Sequence, residues 1–104
     1  MAIHAELSRD EILTGLRRLE TALRDKGVTG LSFFGSRSRG GHRPDSDLDL
    51  LIDVDSAVDN PLYVAFDVQH IVHDALGIET QAALRSDLGE RISARIADDL
   101  VKVF

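Results

Sequence analysis

Asp47 and Asp49 are separated by one residue in the run Asp47-Leu48-Asp49-Leu50-Leu51-Ile52-Asp53, which alternates acidic and apolar positions. That alternation has the two-residue period of a strand, so both carboxylates emerge on one face with Cα atoms roughly 6.5–7 Å apart. Like charges held that close repel, and a cation between them relieves the repulsion. Hard carboxylate oxygens suit Mg²⁺, which takes one or two carboxylates together with phosphate oxygens and waters. Upstream, Gly35-Ser36 closes the apolar run Leu31-Ser32-Phe33-Phe34. A glycine there lets a phosphate approach the backbone, and the serine adds a hydroxyl donor. Arg37, Arg39, His42 and Arg43 follow at once, placing cationic donors where the phosphates of a nucleoside triphosphate would lie. An acidic pair beside phosphate donors is what phosphoryl or nucleotidyl transfer requires.

The elements that must position these groups can be read from the pattern around them. Ser8-Arg9-Asp10-Glu11 has the form of a capping box, and Ile12, Leu13, Leu16, Leu19 and Leu23 recur at helical spacing up to Gly27. The pattern predicts one helix over about residues 9–26. Residues 31–34 and 47–53 read as strands, joined by a polar, glycine-rich loop with room for one helical turn after Ser36. Asn60-Pro61 starts a second long helix that ends at Gly77, with Phe66 expected in the core and Tyr63 as a packed ring with an exposed hydroxyl. Ile78 to Gln81 suggests a short strand, Ser86 a cap for a third helix with Leu88, Ile92, Ile96 and Leu100 along one side, and Val101 to Phe104 an edge strand. The expected class is α/β (α+β), a small mixed sheet with helices packed mainly on one face.

Composition narrows the function. A chain of 104 residues is expected to form a single domain over residues 1–104, and 43% hydrophobic with 29% charged residues is ordinary globular usage. The net charge of −6 disfavours general nucleic-acid binding, so any nucleotide site must be local. The absence of cysteine excludes disulfides, thiolate metal sites and cysteine nucleophiles. With no basic start followed by an apolar run and no stretch long enough to span a bilayer, the expected location is cytoplasmic. His70 and His73 sit three apart on the predicted second long helix and are expected at the surface, because no further ligand cluster accompanies them.

Gly35-Ser36, ten residues, then Asp47-Leu48-Asp49 resembles the signature of the polymerase-β-type nucleotidyltransferase superfamily. The fuller runs Gly35-Ser36-Arg37-Ser38-Arg39-Gly40 and Pro44-Asp45-Ser46-Asp47-Leu48-Asp49-Leu50-Leu51-Ile52-Asp53 resemble its smallest members, the minimal nucleotidyltransferase (MNT) domains, and the likeness extends more weakly to Leu88. The resemblance implies the nucleotidyltransferase fold, with Asp47 and Asp49 as Mg²⁺ ligands and Gly35, Ser36, Arg37 and Arg39 around the phosphates of ATP. It also implies a third carboxylate on the next strand, acting as general base. In Gly77-Ile78-Glu79-Thr80-Gln81-Ala82 that position falls on Glu79 or Gln81, with Glu79 favoured. Relatives of this size are often antitoxins beside a helical HEPN ribonuclease toxin, some of them transferring AMP to a toxin tyrosine. The resemblance thus implies a protein adenylyltransferase that neutralises a HEPN toxin, or, without the third carboxylate, an antitoxin acting by contact alone.

Overall fold

The computed structural model describes residues 7–39 and 46–104. The expected loop positions Gly40, Gly41, His42, Arg43, Pro44 and Asp45 lie outside the described residues. Helix α1 (Arg9–Arg18) opens on the capping box: the Glu11 N–H donates to Ser8 Oγ at 3.1 Å, and the Ser8 N–H donates to the Glu11 carboxylate at 2.9 Å. The expected single helix is interrupted at Leu19, whose N–H bonds the Leu16 carbonyl at 3.0 Å in a tightened turn. Helix α2 (Glu20–Asp25) then continues to Gly27, whose φ of 108° turns the chain into strand β1 (Val28–Phe34).

Next come helix α3 (Ser36–Arg39), strand β2 (Leu48–Val54), helix α4 (Pro61–Leu76), strand β3 (Thr80–Leu84), helix α5 (Glu90–Ile96) and strand β4 (Val101–Lys102). Helix α4 has the predicted ends. Asn60 Oδ1 accepts from the Leu62 N–H at 3.3 Å, Pro61 holds the first helical position, and Gly77 closes the helix at φ 70°. The third helix differs from expectation. Ser86 lies in a 3₁₀ turn (Arg85–Asp87), and the helix starts only after Gly89, a residue that disfavours a helix interior. Ile92 on α5 is exposed, and Leu88, Ile96 and Leu100 of the expected stripe are only partly buried.

The sheet order is β3-β2-β1-β4, with β1 antiparallel to both β2 and β4 and β2 parallel to β3, a mixed sheet as predicted. Leu48, Leu50 and Ile52 of β2 join Leu31 and Phe33 of β1 in one buried cluster with Ile12, Leu16, Leu23, Val64, Val68 and Val72. Helices α1, α2 and α4 therefore pack on one face of the sheet. Each fully buried Leu or Ile contributes about 1.5–3 kcal/mol, so three of them anchor β2 firmly and fix its opposite face. Phe66, expected in the core, is half exposed, and Tyr63 is more exposed still, because α4 buries Val64, Ala65, Val68, Val72 and Leu76 instead. Among the described residues no helix is long and apolar enough to cross a membrane.

Candidate active site

Alternation along β2 sends Asp49, Leu51 and Asp53 to the face opposite the helices. Asp49 lies opposite Phe34, the last residue of β1, so the turn that follows β1 arrives beside its carboxylate. Gly35 takes φ 82°, a left-handed conformation that L side chains rarely adopt. It is also crowded: a Cβ built on Gly35 would stand 2.5 Å from Asp49 Oδ2. Glycine is thus required twice at this position, once for the backbone and once to leave room for an acid.

The Gly35 carbonyl ties down α3 by accepting from the Ser38 N–H at 3.1 Å, the Arg39 N–H at 3.3 Å and Ser38 Oγ at 2.9 Å. Ser36 begins α3, and among the described residues no hydrogen bond engages its hydroxyl. Asp47 stands exposed just before β2, whereas Asp49 is half-buried within it. Burial first, and the charge of Asp47 second, push the Asp49 carboxyl above the usual carboxylate range. Both effects oppose the charged form, and a bound cation reverses them.

Arg37 is placed differently from the sequence expectation. It is completely buried, and its Nε donates to the Ser46 carbonyl at 2.8 Å, bracing the chain where it enters β2. Burial lowers its pKa and the nearby Asp47 charge opposes that shift. Arg37 is thus held inside the fold, against the chain that leads into Asp47. Arg39 is exposed, and its Nη1 meets Asp99 Oδ2 at 2.5 Å across the end of the 3₁₀ turn Ala97–Asp99. Nothing in the local sequence signals that pair, which joins residues sixty positions apart.

The β2–β3 register sets Gln81 beside Asp49. Glu79 precedes β3, its carbonyl accepts from the Leu48 N–H at 2.8 Å, and its carboxylate lies 3.4 Å from His73 Nε2 of α4. Of the two residues considered for a third carboxylate, the amide shares the acidic face and the acid turns toward α4. Among the described residues no group of three His, Asp or Glu side chains could hold a metal. Asp47 and Asp49 do fit one hard divalent cation whose remaining ligands are phosphate oxygens and water. The donors are two carboxylates, the Asp49 carboxyl is disfavoured as an anion by burial and by Asp47, and the absent Gly35 side chain leaves room for that carboxyl beside the turn.

Residues 16–103 match the family model of the nucleotidyltransferase domain, and the chain belongs to that family. Its fold is that of a solved minimal nucleotidyltransferase, with TM-score 0.75 and 22% identity over 92% of this chain and 96% of that one. It is also similar to a structure of a tri-AMPylated Shewanella oneidensis HEPN toxin in complex with its MNT antitoxin, with TM-score 0.63, 14% identity and coverage of 89% and 71%. A toxin–antitoxin structure with AMP-PNP aligns at TM-score 0.67 and 16% identity over 85% of this chain and 72% of that one. No curated protein sequence matches the chain.

Proposed function

We propose that this domain is an ATP-dependent protein adenylyltransferase acting in the cytoplasm as the antitoxin of a HEPN-type toxin, with Asp47 and Asp49 holding Mg²⁺. The observation that supports this reading is the packing of the Gly35 turn, which Ser36 follows directly, against the Asp49 carboxylate. Membership of the nucleotidyltransferase family supports the reaction class. The AMPylated toxin and the AMP-PNP complex among the structural relatives support the donor and the kind of acceptor.

In such a transfer an acceptor oxygen bonds to the α-phosphorus of ATP, the bond to pyrophosphate breaks, and the proton of the acceptor hydroxyl passes to solvent water. The Ser36 hydroxyl and the backbone at Gly35 donate to or accommodate the departing phosphates. Arg39 steadies the same charge once it exchanges Asp99 for phosphate, and Arg37 keeps Ser46 and Asp47 in place from below. Bound Mg²⁺ supplies charge neutralisation on the phosphate oxygens.

A second reading, neutralisation by contact alone, is favoured by one feature: Gln81, which cannot accept the acceptor's proton as a carboxylate does, stands next to Asp49. Incubation with labelled ATP, Mg²⁺ and the cognate toxin separates the two. The transferase reading expects label on the toxin, lost by more than about a hundredfold in Asp47→Asn/Asp49→Asn. A stable complex that stays unlabelled, and becomes labelled with Gln81→Asp, would establish the contact reading.

A further inference from the structure

The face of the sheet away from the helices carries a second feature beside the acid pair. A shallow cavity of about 410 Å³ lies over Gly30 and Ser32 of β1, bordered by Arg24, Asp53, Arg85, Lys102 and Phe104. Ser32 pairs with Leu51 on one side and Lys102 on the other, so the cavity shares its face with Asp49. Three basic side chains gather around it in a chain whose net charge is −6. Arg24 is held by Glu20 at 2.7 Å and lies 4.6 Å from the centre of the Phe104 ring, and Arg85 is held by Asp53 at 2.8 Å. Both remain nearly half exposed, and Lys102 has no ion pair among the described residues.

We infer that this cavity seats an acidic segment of the acceptor protein, a few residues from its reactive hydroxyl. The inference rests on the protein-modifying reading given above and adds how the acceptor is aligned. Two residues along β2 and two strands across, the Lys102 position is roughly 10–13 Å from Asp49. Three or four extended residues span that distance, so a hydroxyl delivered to the acid pair leaves its flanking side chains over Arg85 and Lys102. Lys102, without an ion pair among the described residues, and the half-exposed guanidinium groups of Arg24 and Arg85 favour acidic flanks here in a chain whose net charge is −6.

The chain has two lysines, Lys26 and Lys102, which makes the idea directly readable. An amino-acetylated peptide with one tyrosine followed by three glutamates is coupled to the intact protein by carbodiimide, and the modified lysine is mapped by mass spectrometry. Lys26, half exposed and 3.9 Å from Asp67, is the internal control. Coupling is expected several-fold higher at Lys102 than at Lys26, and several-fold lower at Lys102 in Arg85→Glu and, more mildly, in Arg85→Gln. Equal coupling at both lysines overturns the proposal. So does suppression by equimolar inorganic phosphate, which marks a small-anion site, or loss of ATP affinity in Arg85→Gln without peptide, which gives the cavity to the nucleotide. Asp49→Asn keeps the Lys102 preference while removing transfer, so failure of the catalytic reading and failure of this one are seen separately.

Discussion

The two ends of β2 carry the same residue type in nearly the same setting and use it in opposite ways. Asp49 and Asp53 lie four positions apart on one face, and each leans over a glycine at the edge of β1: a Cβ would stand 2.5 Å from Asp49 Oδ2 at Gly35 and 2.7 Å from Asp53 Oδ2 at Gly30. At the Asp53 end the fold supplies a counter-ion, Arg85, at 2.8 Å. At the Asp49 end burial disfavours the charged form, and the charge of Asp47 adds to that cost. One carboxylate thus has a counter-ion among the described residues, and the other meets a like charge there. Strain and unbalanced charge of this kind persist where the surrounding packing over-determines them, here through Leu48, Leu50 and Ile52 on the other face.

The largest difference between the two ends is expected from filling the glycines. Gly35→Ala must place a side chain at φ 82° and displace the Asp49 carboxylate at once. The backbone alone costs about 1–2 kcal/mol. For a chain of this length each kcal/mol lowers the melting temperature by about 4–8 °C. Transfer activity should fall with it, since Asp49 is pushed from its position. A Gly35→Ala protein that melts and transfers label like the wild type breaks the comparison at its strongest point.

Changing the acids themselves should give effects of opposite sign. The folded-state pKa of Asp49 is raised, so ionising it costs the fold stability once pH exceeds the ordinary Asp value of about 3.9. The cost is complete above the raised value and absent below the ordinary one. Asp49→Asn is therefore expected to stabilise the metal-free protein at neutral pH, with the gain disappearing as the pH is lowered through the carboxylate range. Urea melts in EDTA at several pH values check this. A loss of stability at neutral pH would mean that the unmet charge is compensated after all.

What the sequence made legible follows the same division. Local chemistry could be read: the Ser8/Glu11 capping box, the Asn60-Pro61 start and Gly77 end of α4, the alternation of β2, and the glycine turn aimed at its acids. Each depends on neighbours within a few residues. Decisions that rest on distant partners could not be read. The Glu79 and Gln81 alternatives differ by a two-residue shift of β3 against β2, which keeps the same face toward the core and which packing, not composition, sets. Arg37 looks like any loop arginine until Ser46 is folded back over it. Asp99 and Arg39 share no pattern at all, and the break at Leu19 involves neither proline nor glycine.

The smallest effects belong to the Asp53 end, and they sharpen the comparison because they must be small. Gly30 is not in the left-handed region, so Gly30→Ala meets only the tip of an exposed side chain, which can swing aside. Its cost is then at most that of the Asp53–Arg85 pair, and Asp53→Asn should cost about the same, roughly 0.2–1 kcal/mol as for other exposed pairs. High salt should shrink the loss in Asp53→Asn, since screening already weakens the pair in the wild type. Two substitutions of the same chemistry on one strand would then move the urea midpoint in opposite directions: Asp49→Asn up and Asp53→Asn down. If both move it down, the fold counts both acids among its own contacts, and Asp49 carries no unmet charge for a cation to relieve.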